Sequence, residues 1–253
     1  SGGASSSTRG LTAAGYASAK SNVIDYVTIA TTGDAADFGD CTQTNNGLCG
    51  FSNSTRAIFG GGEAPADDAT DVIMYSTIAS TGNATDFGDL SAARSNMHAS
   101  GGSSDTRGLF CGGNDGSSVN IIEYVTISTT GNATDFGDLT VGRSGLASAA
   151  SPTRGVWAGG DSPSVQNTID FVELMTTGNA TDFGDLAQAM GGTVAGNSSS
   201  TRGVFGSARN PADLANMEFI TIASQGNAID YADLTLARGD CASSNNSVRS
   251  LIA

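Results

Sequence analysis

Short stretches of apolar residues, bounded by Gly, Asn and Ser, recur along the whole chain. One cycle reads "RSGLASAAS" (143–151), "TRGVWAGG" (153–160), "IDFVELM" (169–175) and "ATDFGDL" (180–186). Each stretch is shorter than a typical helix, is rich in β-forming residues and ends at residues that favour turns. We therefore predict four β-strands in each cycle, named A to D in chain order.

The cycle repeats with a period of about 47 residues, which is marked by an arginine in "TRG" or a variant of it. A repeating four-stranded unit of this length is typical of a blade in a β-propeller. A β-solenoid is the alternative, but its rungs are normally shorter. The marker arginines are Arg9, Arg56, Arg107, Arg154, Arg202 and Arg249.

Strands C and D occur five times and strand B occurs six times, so we predict an all-β propeller with five blades. Six blades are the alternative, although two of the required strands are missing from the chain. The last strand A, near 239–246, is expected to complete the first blade. The predicted repeats in the single domain 1–253 are 8–54, 55–105, 106–152, 153–200 and 201–246, with 247–253 as an extra or closing strand.

Because successive strands alternate in direction, the B–C and D–A connections should share one face of the propeller. The A–B and C–D connections, with their repeated "SSTR" and "TTGNAT", should share the other face. The B–C connections differ from one another, and function on a rigid scaffold usually resides in variable loops. The candidate binding residues on this face are Tyr16, Glu63, Asp67, Asp68, Asn114, Asp115, Asp161, Arg209 and Asp213.

The net charge is −14, with 25 acidic and 11 basic residues, which argues against a nucleic-acid partner. Most charges recur in every cycle and should therefore meet the same neighbours in every blade. We predict a structural role for them, with Arg–Asp pairing within and between blades. The acidic columns that should meet the marker arginines are Asp37, Asp40, Asp86, Asp89, Asp135, Asp138, Asp182, Asp185, Asp230 and Asp233.

Residue patterns that are typical of catalytic or metal-binding sites are scarce in the sequence. The repeated "DFGD" resembles the magnesium motif of kinases, but the rest of a kinase signature is missing. Two carboxylates are also too few for Ca²⁺, so we predict no cofactor and no metal. The single histidine, His98, has no partner of a catalytic or metal site nearby in sequence. For Cys41 and Cys49, both a local disulfide and buried free thiols are compatible with the sequence.

The Gly-Gly pairs at 112–113 and 159–160, each after an apolar strand, and the aromatic residue of strand D resemble a kelch-type propeller repeat. Strand D lacks the kelch tryptophan and has Phe or Tyr instead. The wording "TRGVF", "IDYVTIATTG" and "NATDFGDL" resembles repeats of marine bacteriophage structural proteins, including tail and fibre-like proteins of cyanophages.

This resemblance implies a non-catalytic structural or adhesion module at a virion or extracellular surface. Its partners would be other virion or filament proteins, or a host receptor or glycan, without nucleic acid and without insertion into a membrane. Self-assembly through a terminal strand is a further expectation. A lectin-like propeller is the alternative, and an extracellular carbohydrate-active enzyme is the weakest of the three. Since the chain begins at Ser1 inside a repeat, we expect a processed product or a piece of a longer protein.

Overall fold

The computed structural model describes residues 1–97, 101–192, 194–239, 241, 243–245 and 250–252. It shows five blades, each an antiparallel sheet of four strands in the order A–B–C–D, so the predicted five-bladed β-propeller is confirmed. The strands of the first three blades are β1 (Gly2–Ser5), β2 (Arg9–Tyr16), β3 (Lys20–Thr28), β4 (Ala36–Asn45), β5 (Cys49–Ser52), β6 (Arg56–Gly60), β7 (Val72–Thr77), β8 (Thr85–Asp89), β9 (Gly101–Ser103), β10 (Arg107–Cys111), β11 (Ile121–Thr126) and β12 (Thr134–Asp138).

The fourth blade carries a small additional hairpin in its B–C connection, and a two-stranded sheet follows the fifth blade. A short 3₁₀ turn, Pro65–Asp67, lies in the B–C connection of the second blade. The remaining strands are β13 (Ala147–Ala150), β14 (Arg154–Ala158), β15 (Asp161–Ser162), β16 (Ser164–Val165), β17 (Thr168–Glu173), β18 (Thr181–Asp185), β19 (Ala195–Ser198), β20 (Arg202–Gly206), β21 (Asn216–Thr221), β22 (Ile229–Asp233), β23 (Ser243–Asn245) and β24 (Ser250–Ile252).

The first blade obtains its strand A from the start of the chain, contrary to the prediction that 239–246 would complete it. Strand β1 pairs with β2, with Gly2 opposite Ala13 and Ser5 opposite Gly10. Strand β23 pairs with β24 instead. Each blade therefore begins at its own strand A, rather than at strand B as the predicted repeats do. A tight local hairpin closes a much shorter loop than a connection across the whole chain, and it costs less conformational entropy.

The apolar cores lie between consecutive blades. In the core shared by the third and fourth blades, Leu109 and Phe136 pack with Trp157 and Val172. Strand B of the following blade contributes a large aromatic side chain to each of the four cores, and all four are fully buried: Phe59, Phe110, Trp157 and Phe205. The first blade, which follows no other blade in the chain, has the exposed Thr12 at this position.

The repeated phrase "TGNATDFGDL" is the connector between blades. At the junction of the second and third blades, the amides of Gly131 and Ala133 donate to the carbonyls of Phe87 and Asp89 at 2.7 and 2.8 Å. The amide of Asp89 donates in return to Oδ1 of Asn132 at 3.1 Å. The turn of one blade thus binds the edge of strand D of the blade before it. The same contacts occur at the other three junctions between blades.

The marker arginines do not pair with the "DFGD" carboxylates, and that part of the Arg–Asp prediction is wrong. Arg107 stacks on Tyr124 of its own blade, with 4.2 Å between its guanidinium carbon and the ring centre. It also donates to the carbonyl of Leu174 in the next blade at 3.0 Å. Arg9, Arg56 and Arg154 make the same two contacts. Arg249 lies outside the described residues.

The "DFGD" aspartates have other surroundings because their strand forms the outer edge of each blade. The first aspartate of each motif is exposed, and Oδ1 of Asp37 and of Asp182 accepts the amide two residues later. In the first four blades the second aspartate contributes its backbone amide and carbonyl to the junction with the next blade. The acidic column is therefore kept in place by backbone contacts.

We expect Arg107→Ala to lower the free energy of unfolding by about 1–2 kcal/mol, because it removes both the stacking and a hydrogen bond between blades. Arg202 makes the same stacking contact with Phe219, and no strand C follows its blade among the described residues, so Arg202→Ala should cost under about 1 kcal/mol. Urea unfolding of both variants measures the difference. Equal losses would mean that the contact between blades adds nothing to stability.

Candidate functional site

On the B–C face, the second to fifth blades each contain a residue at one structurally equivalent position. The side chain at this position differs in all four blades. The residue after the Gly-Gly pair, or its equivalent, pairs through its backbone with the D–A connection that enters the same blade. Asn114, for example, exchanges amide–carbonyl hydrogen bonds of 2.8 and 2.9 Å with Ser95. The four residues at this position are Glu63, Asn114, Asp161 and Arg209.

Glycine is required where this loop leaves strand B. Gly112 and Gly113 have φ values of 62° and 108°, in the left-handed region that other residues avoid. A Cβ atom on Gly112 would lie 2.3 Å from the carbonyl oxygen of Arg143. The close approach of two backbones thus fixes where each displayed side chain begins.

Buried arginine side chains hydrogen-bond to the backbone of the B–C connections in the third and fourth blades. The fully buried Arg143 donates from Nη1 to the carbonyls of Gly159 and Thr168 at 2.7 and 2.8 Å. Its Nη2 binds Asp170 at 2.5 Å, and burial lowers the pKa of the guanidinium while Asp170 opposes that shift. Arg94 binds Glu123 in the third blade in the same way. This second column has the predicted Arg–carboxylate pairing.

The same internal position is filled differently in two blades. In the second blade, Asn45 replaces the arginine and Met74 replaces the acid, and Nδ2 of Asn45 donates to the carbonyl of Gly61 at 2.8 Å. In the fifth blade, Met190 replaces the arginine, and the buried Glu218 accepts the amides of residues 187 and 188 at 2.7 and 3.0 Å. The scaffold therefore accommodates this position without an ion pair.

Several predicted binding residues are occupied within the chain. Lys20, whose side chain is only 10% exposed, reaches from the first blade into the B–C loop of the second. Its Nζ lies 2.8 Å from Oδ1 of Asp67, 3.8 Å from Glu63 and 2.6 Å from the carbonyl oxygen of Ala64. The sequence did not indicate this contact, because the only lysine lies in a different blade from its partners.

Other members of the predicted set also have partners within the chain. Oδ2 of Asp161 accepts the amide of Gly192 at 2.8 Å, and Arg209 binds Asp213 at 2.9 Å. Tyr16 is exposed at the tip of the hairpin between β2 and β3. The exposed carboxylates of Asp68 and Asp115 lie outside these ion pairs. Asp67, Arg209 and Asp213 are exposed as well, although they form ion pairs within the chain, whereas Glu63, Asn114 and Asp161 are half-buried.

The opposite face contains a feature that sequence reasoning missed. A cavity of about 500 Å³ lies where strands A meet the A–B connections, and eight of its twelve lining residues carry a hydroxyl group. Met175, which is 58% exposed, lies in the wall where other blades have Ala or Ser. The serine that ends strand A in four of the five blades was the available indication. The other lining residues are Ser52, Ser103, Ser104, Asp105, Thr106, Ala150, Ser151, Pro152, Ser198, Ser199 and Ser200.

The cysteines are free, so the disulfide interpretation of Cys41 and Cys49 is wrong in this structure. Both side chains are buried against apolar neighbours, as the alternative interpretation expected. Burial raises the pKa of Cys49 to about 12, and burial together with Asp40 raises the pKa of Cys41 to about 11. Burial also raises the pKa of Cys111 well above its ordinary value.

These raised pKa values predict slow thiol chemistry, because the thiolate is the reactive form and is scarce at pH 8. In the folded protein only Cys241, which is partly exposed, should react quickly with a thiol reagent. All four cysteines should react after unfolding without a reductant. Two reactive thiols instead of four in that unfolded sample would reveal a disulfide and contradict the structure.

Within the described part of the chain, no group of three or more His, Cys, Asp or Glu side chains could hold a metal ion. His98 lies outside the described residues. No helix there is long and apolar enough to cross a membrane. Neither a model of a known family nor a curated protein matches this chain. The kelch-type and bacteriophage resemblances therefore rest on the wording of the repeat.

Proposed function

We propose that the chain is a non-catalytic binding module, a rigid disc whose B–C face contacts a protein partner. The observation that carries this proposal is the position shared by Glu63, Asn114, Asp161 and Arg209. One backbone frame presents four different chemistries there, while the junctions between blades repeat the same contacts. A constant scaffold with variable exposed loops is the usual arrangement of protein-recognition surfaces.

The construction of the face supports recognition without a large change of shape. Backbone pairs tie the B–C loops of the second to fifth blades to the adjacent D–A connections, and buried arginines anchor two of these loops. A surface that is ordered before binding loses less conformational entropy on association. The accessible carboxylates of Asp68 and Asp115 favour a partner with basic side chains at the contact.

The setting of this module follows from the resemblance of its repeats to bacteriophage structural proteins. We place it at a virion or extracellular surface, where it would join virion or filament proteins or attach to a host receptor. A density map of the assembled particle tests this directly. The proposal expects continuous density between the B–C face and a neighbouring protein, and a map in which only the opposite face is in contact would refute it.

A charge-reversal experiment tests the same face in solution. Asp68→Lys with Asp115→Lys should weaken retention on the assembled particle by about tenfold and leave the melting temperature unchanged, because both side chains are exposed. Asp105→Lys on the opposite face is the matched control. Asp67 is unsuitable, since reversing its charge would break the internal pair with Lys20. Equal weakening by the control would show that overall charge, rather than this face, determines retention.

The cavity on the opposite face favours a second candidate function, the binding of a glycan. Seven serines and Thr106 line it, and Asp105 adds a carboxylate, so the wall can both donate and accept hydrogen bonds as sugar hydroxyls require. Its wall offers Met175 where a sugar site commonly has an aromatic ring for stacking. Specific binding on a glycan array, lost in Asp105→Ala, would establish this function. An array without binding would remove it.

A further inference from the structure

The two strands after the fifth blade form half of a blade. Strand β23 pairs with β24, and Oγ of Ser243 donates to the carbonyl of Gly196 in β19 at 2.9 Å. Because β19 is strand A of the fifth blade, β23 and β24 occupy the A and B positions of a next blade. In all five blades strand B also pairs with a strand C. Among the described residues, β24 pairs only with β23.

The surface that a following strand C and strand D would cover is exposed on the fifth blade. Tyr231 is 51% exposed, whereas its counterparts Phe38, Phe87, Phe136 and Phe183 are only 2–3% exposed. Two further apolar side chains of the same segment are exposed, Ile229 at 60% and Leu236 at 69%. A cluster of large exposed apolar side chains at a sheet edge is characteristic of an interaction surface.

Two cations beside this surface lack the acceptors that their counterparts have. Arg94 and Arg143 each bind the strand C carboxylate of the following blade. Their counterpart Arg238 makes a single 3.4 Å contact, to the carbonyl of Leu236, among the described side chains. Arg202 stacks on Phe219, but the described residues include no strand C carbonyl to which it can donate. Both missing acceptors belong to one structural element, a strand C.

We propose that this half-blade binds a β-hairpin of the repeat's own C–D type, supplied by a polypeptide segment outside residues 1–253. The first strand of the hairpin pairs with the free edge of β24 and places a carboxylate against Arg238. One of its carbonyls accepts from Arg202, and its apolar side chains cover Tyr231 and Ile229. Addition of strands to an open sheet edge is a common mode of recognition, with specificity supplied by side chains.

A second copy of the chain is a poor source of this hairpin. Its own hairpin in the first blade, β3 and β4, is already paired with β2. Two positions also depart from the interior junction. Asp34 replaces the junction asparagine, and Ala232 replaces a glycine whose counterpart Gly137 would, with a Cβ, lie 2.5 Å from the next turn. The fifth strand D should therefore accept a Gly-Asn-Ala turn less readily than the interior strands D do. A hairpin with that turn should bind more weakly than one that connects its strands differently.

The experiment uses the full chain and a fluorescent synthetic peptide with the sequence of residues 117–140, which is the C–D hairpin of the third blade. Fluorescence anisotropy should show saturable binding. The same peptide with Glu123→Lys should bind about tenfold more weakly, because it brings a cation to Arg238. General attraction to a chain of net charge −14 predicts the opposite order, so the pair of peptides separates the two effects.

Two protein variants complete the test. Arg238→Ala should weaken binding of the unmodified peptide about tenfold, and Ala232→Gly should strengthen it at least about threefold by admitting the peptide's turn. Melting curves check that both variants are folded. The proposal fails if the peptide does not bind, or if both peptides bind wild type and Arg238→Ala equally. Self-association of the wild-type chain that Arg238→Ala abolishes would assign the site to a second copy and overturn the proposed source.

Discussion

Asp170→Ala should lower the free energy of unfolding by about 3–5 kcal/mol, the largest effect that we expect from a single side chain. Asp170 is fully buried and neutralises Arg143, which is fully buried as well. Without the carboxylate, Arg143 keeps its hydrogen bonds to two carbonyls, but its charge has no counterion in an environment that solvates charge poorly. Urea unfolding followed by tryptophan fluorescence measures the loss, since Trp157 lies in the same blade.

The chain supplies the control for this experiment. The second blade has Asn45 and Met74 at the two corresponding positions. The double variant Arg143→Asn with Asp170→Met should therefore recover most of the stability lost in Asp170→Ala, since it removes the buried charge and introduces a pair of side chains that the second blade already accommodates. A loss below about 1 kcal/mol in Asp170→Ala is typical of an exposed pair and would contradict the burial of this one.

Gly137→Ala should cost about 3 kcal/mol or more, because backbone strain and overpacking each contribute roughly 1–3 kcal/mol. Gly137 has a φ of 145°, and a Cβ there would lie 2.5 Å from the carbonyl carbon and oxygen of Gly178 in the next blade. Both obstacles are backbone features that cannot rotate away as a side chain could. Chemical denaturation of the variant gives the loss directly.

Two controls separate the sources of that loss. Gly116→Ala introduces a Cβ at a φ of 121° with open space around it, so it reports the conformational strain alone. Ala232→Gly changes the equivalent position of the fifth blade, where no blade docks, and should alter stability by less than about 1 kcal/mol. If Gly137→Ala costs no more than Gly116→Ala, the junction between blades does not depend on close backbone approach.

The blade count and strand order could be predicted because they depend on local patterns. Stretches such as 169–175 and 180–186 carry β-forming residues between turn residues in every cycle, and their number sets the number of blades. The strand A that completes the first blade could not be identified in the same way. Segments 2–5 and 243–245 are both short and consist of small residues, so their composition does not show which of them pairs with β2.

The partners of charged residues were harder to predict than their positions. A charge that recurs in every blade must meet a constant neighbour, but the period does not say whether Arg107 meets a carboxylate, an aromatic ring or a carbonyl group. The contact between Lys20 and Asp67 occurs once, so the repeat carried no information about it. The serine-lined cavity was missed because each serine is unremarkable alone, and the cavity forms only when several blades bring their serines together.

The location of the cores between blades, rather than inside them, governs how the molecule would yield under mechanical load. Each interior blade shares a core with two neighbours, whereas the first blade shares one. Force applied to the two ends would therefore strip blades one after another instead of breaking all contacts at once. Each event would release about 47 residues, or roughly 160 Å of extended chain. The chain would therefore lengthen in steps, one blade at a time, while the remaining blades stay folded.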